Sequence, residues 1–242
     1  MEESNLNRLP AEIRDAIYTL ILGCHDIHVR TAKKKVSFSV CAEPVSHRQI
    51  VSALQSRPLH DLQFPEELDH FHCATHHEDL QPAPTLLNLA LLWTCRQVHA
   101  EAALIPFKAN TFVLSQLEQL SALSRVLSQR QSQAMTSICL VTSYFSRWSF
   151  YDAQRSLSFG GVQRLIAVLG IPHRTRPEDI KALLTRAGEM FGGHSVLAAH
   201  ILIRFRKHKC SKEELQKLHD QYAEWAHETE QALLRPIDSG ES

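Results

Sequence analysis

The spacing of apolar residues predicts an amphipathic helix near the start of the chain. In the stretch LNRLPAEIRDAIYTLILG, Ile13, Ile17 and Leu20 recur at intervals of four and three residues, which places them on one face of a helix. Pro10 suits the first helical position, because its missing N–H costs nothing there and its fixed φ favours the helix. Gly23 follows as a C-terminal cap. The sequence therefore predicts a helix over 9–22 with one apolar stripe.

After Gly23 the pattern changes to alternation of apolar and polar side chains. Residues 28–30 and 36–40 each predict a short strand. The three lysines at 33–35 indicate an exposed hairpin turn whose charges protect a sheet edge. Residues 44–60 include a pattern for a short helix, and the polar, histidine-rich residues 61–84 are bracketed by prolines, which is typical of a surface excursion.

The rest of the chain returns to long apolar patterns. Residues 85–109 predict one long helix or two abutting ones, and Ser211 with Glu214 forms a capping box that begins a terminal helix ending near Leu234. Further elements are predicted as strands at 110–114 and 136–144, helices at 116–133 and 177–191, and ambiguous segments at 162–169 and 196–205. This succession predicts a helix-rich α+β fold with a small sheet, as a single domain over 1–235 with a flexible tail at 236–242.

Composition narrows the function classes. The chain has 242 residues, 44% of them hydrophobic, and carries 26 basic and 26 acidic residues, so no overall field favours nucleic acid. The acidic opening lacks the apolar segment of a secretory signal, and the apolar stretch at 86–95 is too short to span a bilayer. We therefore expect a cytoplasmic or nuclear protein with no membrane association. Its six scattered cysteines are expected to be reduced thiols.

Two blocks of the sequence resemble one family. LPAEIRDAIYTLILG at 9–23 and LLWTCRQVHAEAALIPFKANTFVL at 91–114 are similar to the LPxEIRxxIYxxLL opening and the TCRQxxxEAxxxxxxxNTF block of fungal F-box-like proteins of mostly unknown function. In an ordinary F-box, such a helix and a later helical segment pack on the Skp-type linker subunit of cullin ubiquitin ligases. The resemblance implies a split F-box, made of elements at 6–23 and 85–114, with residues 24–84 inserted between them and a C-terminal helical part at 146–235.

The resemblance also implies a docking face and a role. The N-terminal helix would pack near the helical block at 86–104, and the chain would serve as a protein-protein interaction module and substrate adaptor of a ubiquitin ligase. A scaffold without a link to ubiquitin is an alternative. A stripe used only inside the chain's own core would give the same sequence pattern. The residues of the implied docking face are Leu9, Pro10, Ile13, Ile17 and Leu20.

The histidine-rich segment raises the question of a metal. His72 and His76, and Cys73 and His77, are spaced by four residues, so one helical turn would present pairs of zinc-binding atoms. Structural zinc sites usually show two well-spaced ligand pairs, and histidine-rich loops without metal are common. We therefore assign no metal and no other cofactor, and zinc at these residues stays an alternative.

An enzyme is the competing function class. The sequence contains no G-x-S-x-G, no H-E-x-x-H, no phosphate loop and no dinucleotide fingerprint, so no catalytic residue is assigned. Its 15 histidines leave room for an acid–base site assembled from distant residues. A small-molecule enzyme on an unfamiliar fold, using histidine, cysteine and aspartate, is the alternative to a binding module. Arg96 and Glu101 are likewise open between function and scaffolding, and we favour scaffolding because arginine commonly ties down a carboxylate or carbonyls.

Overall fold

A mixed sheet organises the fold. The computed structural model describes residues 5–32, 35–41, 87, 89–116, 118–142, 159–171, 178–182, 184–185, 196–205 and 212–234. The short helix predicted within 44–60, the excursion at 61–84 and the tail at 236–242 lie outside these residues. The described strands are β1 (Asp26–Ala32), β2 (Lys35–Val40), β3 (Thr111–Leu114), β4 (Ser137–Thr142), β5 (Arg164–Ile171) and β6 (Ala198–Phe205).

The strands lie in the order β2-β1-β3-β4-β5-β6. β1 and β2 form the predicted antiparallel hairpin, and each later strand pairs with its neighbour in parallel. Parallel neighbours require crossover connections, and the helices Glu118–Val126 and Gln129–Ala134 lie in the one between β3 and β4. The ambiguous segments at 162–169 and 196–205 are both strands.

The helices confirm the predicted α+β class, although the sheet is larger than the small one expected. Residues 178–182 and 184–185 are helical, in agreement with the helix predicted over 177–191. Short 3-10 helices cover Asn5–Arg8 and Leu89–Trp93. The other described α-helices are α1 (Ala11–Leu22), α2 (Arg96–Ala102), α3 (Ile105–Lys108), α4 (Glu118–Val126), α5 (Gln129–Ala134) and α6 (Lys212–Leu234).

Two predicted long helices are broken into shorter ones. The block at 85–109 divides at Cys95, whose Sγ accepts a hydrogen bond from the backbone N–H of Val98 and caps α2. Pro106 then stands in the first turn of α3. The helix predicted over 116–133 divides at Ser128, which forms a capping box with Gln131. At 85–109 the structure agrees with the alternative of abutting helices. The prediction of one unbroken helix over 116–133 was wrong because the apolar spacing continues across the cap at Ser128.

The core lies between one sheet face and the helices. A cross-strand row of Ile27, Phe112, Ile138, Leu165 and Ala199 follows directly from the strand register. All five side chains are buried, and they belong to one cluster with α4 and α6. The helical residues that complete this cluster include Leu120, Leu123, Ile180, Leu184, Tyr222, Ala226 and Leu233.

Two further expectations concern composition. No helix in the described part of the chain is both long enough and apolar enough to cross a membrane. The four cysteines that the structure describes, Cys24, Cys41, Cys95 and Cys139, are free thiols, as expected. Burial raises the pKa of the Cys139 thiol to about 12, which makes it unreactive at neutral pH.

Candidate docking surface

Helix α1 begins at a proline and ends at a glycine, as predicted. Pro10 is the N-cap, one place earlier than expected, and its carbonyl oxygen accepts hydrogen bonds from the backbone N–H groups of Ile13 and Arg14. Gly23 is the C-cap. Because proline has no N–H to leave unsatisfied, the Leu-Pro pair sets where this helix begins.

The predicted apolar stripe is not the face that α1 packs into the protein. Ile13 is 49% exposed and Leu20 is 79% exposed. Pro10 is also exposed, whereas Leu9 and Ile17 are half-buried. The stripe is therefore only partly buried within the protein, and the five predicted docking residues form a partly open apolar surface.

A different set of side chains anchors α1. Tyr18 and Leu22 are almost completely buried, at the same helical spacing but turned away from Leu20. They join a small core with Leu92, Val98, Ala102 and Ile105 of the second block. The predicted packing of the N-terminal helix near the block at 86–104 is confirmed, so two distant parts of the sequence meet in one unit.

An ion pair fixes how α1 is rotated on the second block. Arg14 donates from Nε to Glu101 Oε2 at 2.9 Å and from Nη2 to Oε1 at 2.8 Å, a bidentate arrangement. Tyr18 donates its hydroxyl hydrogen to Glu101 Oε2 at 3.1 Å, and Gln97 donates to Oε1 at 3.1 Å. Arg14 also donates from Nη1 to the carbonyl oxygen of Leu9 at 2.6 Å. Glu101 is therefore a scaffolding residue, as favoured from the sequence, and its partner is Arg14.

The electrostatics follow from this geometry. The hydrogen bond from Arg14, followed by the one from Gln97, lowers the pKa of Glu101 to about 2. The hydrogen bond to Glu101 raises the pKa of Arg14, and burial raises the pKa of Tyr18. The carboxylate stays ionised at neutral pH, so this pair holds the helix in place and offers no proton for chemistry.

A buried asparagine ties the end of α1 to the second block. Asn110 donates from Nδ2 to the carbonyl oxygens of Leu22 at 2.6 Å and Pro106 at 2.8 Å. Its Oδ1 accepts the backbone N–H of His25 at 2.8 Å. Sequence reasoning took Asn110 only as the start of a strand. The signal was present, because an amide side chain can both donate to and accept from buried backbone groups.

Gly23 is required here for space. A Cβ at this position would lie 2.6 Å from the Cβ of Ala109 and 2.8 Å from the carbonyl oxygen of Thr19. Its φ of −119° is accessible to any residue, so close approach of the chains and not backbone conformation selects glycine.

The apolar spacing within 85–109 places Leu89 and Trp93 on the same predicted buried face as Val98 and Ala102, but both side chains are exposed. Trp93 is 87% exposed and Leu89 is 44% exposed. That prediction was wrong because the break at Cys95 ends the helical phase that relates them to Val98 and Ala102.

An apolar groove lies beside the second block. Its volume is about 580 Å³, within the usual range for ligand sites. Among the described residues that line it, His99 is the single histidine, and its Nδ1 lies 3.2 Å from the carbonyl oxygen of Leu92. The described residues with shifted pKa values do not line it, so the enzyme alternative stays a prediction without a site in the described part of the chain. Those residues are Arg14, Tyr18, Glu101, Cys139 and Tyr222.

The structure does not test the metal alternative. His72, Cys73, His76 and His77 lie outside the described residues. Within the described ranges, no group of three or more histidine, cysteine, aspartate or glutamate side chains is arranged to hold a metal ion.

Comparison with known proteins gives one match. A family model described as Domain of unknown function (DUF7730) matches residues 2–161, which include both sequence blocks and the groove. No curated protein and no solved structure matches the chain.

Proposed function

The chain belongs to the DUF7730 family, and from that premise we propose that it is a protein-protein interaction module whose α1 stripe docks a partner. The proposed partner is a Skp-type linker subunit of a cullin ubiquitin ligase, for which the chain would be a substrate adaptor. This extends the resemblance of its two blocks to F-box-like proteins. The stripe consists of Leu9, Pro10, Ile13, Ile17 and Leu20.

The observation that carries the proposal is that α1 packs into the protein with one set of side chains and exposes another. Tyr18 and Leu22 hold the helix to the second block, while Ile13 and Leu20 remain exposed. An amphipathic helix normally turns its apolar stripe inward. A helix that anchors itself with other residues and presents the stripe to solvent has the form expected of helix-in-groove recognition.

The packing of the two sequence blocks against each other supports the same proposal. Docking to a linker subunit needs helices in a fixed relation, and residues 24–84 are inserted between the two blocks. The bidentate contact of Arg14 with Glu101 and the hydrogen bonds of Asn110 link the blocks across this insertion. The split arrangement is therefore compatible with a rigid docking unit.

The exposed side chains provide a moderate driving force. Full burial of an isoleucine or leucine contributes about 1.5–3 kcal/mol, so covering the open parts of Ile13 and Leu20 would contribute about 3 kcal/mol together. A carboxylate in the same place would have to be buried without a partner, which costs more than the apolar contact gains.

The test is binding of the purified full chain to a purified Skp-type linker subunit, measured by isothermal titration calorimetry. We expect binding by the wild type and a loss of at least a hundredfold in affinity for the double variant Ile13→Asp with Leu20→Asp. Ala11→Asp is the matched control, because Ala11 is exposed and lies on the opposite side of α1 from Ile13 and Leu20. It should bind as the wild type does.

Circular dichroism of each variant distinguishes lost docking from lost folding. Both substituted side chains are exposed, so the far-UV spectrum and the melting midpoint should stay near those of the wild type. Absence of binding by the wild type, or equal binding by the double variant, would contradict the proposal.

A further inference from the structure

The two edge strands of the described sheet differ in whether another element covers their backbone. An edge strand exposes backbone N–H and C=O groups to pairing with another chain, and proteins commonly cover or block such edges. At β6, helix α6 does this, since the backbone N–H of Ile201 donates to Glu230 Oε1 at 2.5 Å. At the opposite edge, β2 pairs with β1 on one side and with no other described strand.

The hydrogen-bond pattern shows which β2 residues face outward. The N–H of Cys41 donates to the carbonyl oxygen of Asp26 at 2.8 Å, so this opposite pair is hydrogen-bonded. Antiparallel pairs alternate between bonded and non-bonded, which makes Ser39 and Ser37 the next bonded residues of β2. The backbone groups of the residues between them point away from β1. Those outward-facing residues are Val36, Phe38 and Val40.

The outward-facing residues include none of the residue types that commonly block strand pairing. Between Val36 and Val40 the strand has no charge, no proline and no glycine. The lysines at 33–35 were interpreted as edge protection, but Lys35 is the first residue of β2 and the other two precede the strand. The outward-facing backbone therefore offers about six hydrogen-bonding groups, two from each of the three residues.

The same three residues turn their side chains toward the apolar groove. Val36, Phe38 and Val40 line it, as does Phe112 of β3, whose ring meets the Phe38 ring edge-on at 6.4 Å. Helices α2 and α3 contribute other parts of its wall, including Ala103 on the loop between them. An extended chain added to β2 would therefore pair its backbone with the strand and turn every second side chain into the groove.

The charge of the groove indicates which chain fits. Of the described residues that line it, Arg130 is the one with a permanent charge, and none carries a carboxylate. Lys35 adds a second positive charge at the start of β2. An acidic residue in the incoming segment would meet these cations, whereas a basic segment would be repelled.

We propose that the outer edge of β2 and the adjoining groove bind an extended peptide segment of a partner protein, by strand addition. The segment has apolar residues at every second position and at least one aspartate or glutamate. This surface is separate from the α1 stripe, so the proposal holds whichever partner binds α1.

The test uses a display library of random decapeptides, selected on the immobilised full chain. We expect enrichment of peptides with alternating apolar residues and an acidic residue. The most enriched peptide is then synthesised with a fluorescein label, and its dissociation constant is measured by fluorescence anisotropy.

Phe38→Pro removes one outward N–H without touching the β1–β2 hydrogen bonds, and Phe38→Ala is its control because it loses the ring but keeps the N–H.

We expect Phe38→Pro to weaken binding at least tenfold more than Phe38→Ala. The double variant Ile13→Asp with Leu20→Asp should bind the peptide normally, which separates this site from the α1 stripe. Hydrogen exchange gives an independent check that needs no variant: the amides of Val36 and Phe38 should exchange fast in the free chain and become protected by peptide, while that of Ser39 is protected in both.

Four results would overturn the proposal. They are no enrichment, enrichment of helically spaced apolar residues, equal effects of Phe38→Pro and Phe38→Ala, and unchanged exchange at Val36 and Phe38. A dimer in light scattering that Phe38→Pro dissociates would also overturn it, by identifying the occupant of the edge as a second copy of the chain.

Discussion

Substitution by alanine at two leucines of α1, two positions apart, is expected to change the free energy of unfolding by very different amounts. Leu22 is completely buried in the small core with Tyr18 and Ala102, and Leu20 is 79% exposed. Leu→Ala at each position makes the same change in intrinsic helix propensity, so that contribution is matched. The difference in stability between the two variants therefore reports which face of α1 packs inward.

The magnitudes follow from burial. Leu22→Ala removes a fully packed side chain and leaves a cavity, which should lower the free energy of unfolding by about 3 kcal/mol. Leu20→Ala should change it by less than about 0.5 kcal/mol, the usual range for an exposed site. With a urea dependence of about 3 kcal/mol per molar, the first midpoint falls by about 1 M and the second hardly moves.

The assay is urea unfolding of the full chain, followed by tryptophan fluorescence and far-UV circular dichroism. Agreement of the two probes supports a two-state analysis. Equal losses for the two variants, or a larger loss for Leu20→Ala, would refute the observed orientation of α1. The stripe would then be the core face, as an ordinary amphipathic helix would have it.

Three other expectations concern the junction of the two blocks. Gly23→Ala should destabilise the chain by about 1–3 kcal/mol by overpacking, and adding Ala109→Gly should recover part of this in urea unfolding. Asn110→Ala should cost about 2–4 kcal/mol, because it leaves buried backbone groups unpaired, and hydrogen exchange should quicken first at the end of α1. The folded pKa of Glu101 is about 2 against an ordinary 4.5, so the unfolded chain binds more protons between these values and stability should fall as the pH drops from about 4.5 toward 2. Glu101→Gln should flatten that part of the profile of urea midpoint against pH.

Elements with one strong local signal could be predicted from the sequence. α1 lies between a proline and a glycine, the hairpin alternates over both strands, and α6 begins at Lys212, next to the start that the sequence predicts. In each of these, neighbouring residues are enough to decide the structure. The break at Ser128 was missed, and the one at Cys95 was left open between one helix and two, because both residues cap new helices in the middle of continuous apolar spacing.

The orientation of α1 could not be predicted for a different reason. Both candidate faces carry apolar side chains, with Ile13 on one and Leu22 on the other. What decides between them is the second block, and above all Glu101, which lies 87 residues from Arg14 in the sequence. The stripe was identified as a docking surface by resemblance, and its exposure is a tertiary property.

The most direct test of the central proposal is quantitative affinity purification with mass spectrometry from the chain's native cells. It compares the intact chain with the double variant Ile13→Asp and Leu20→Asp. This comparison is sharper than deletion of the N-terminus, which would also remove Tyr18 and Leu22 from the core. We predict that a Skp-type linker subunit and a cullin are recovered with the intact chain and lost with the variant, while Ala11→Asp retains them. Recovery of neither from the intact chain, or equal recovery from the variant, would contradict the assignment of the α1 stripe as a docking surface for a ubiquitin ligase.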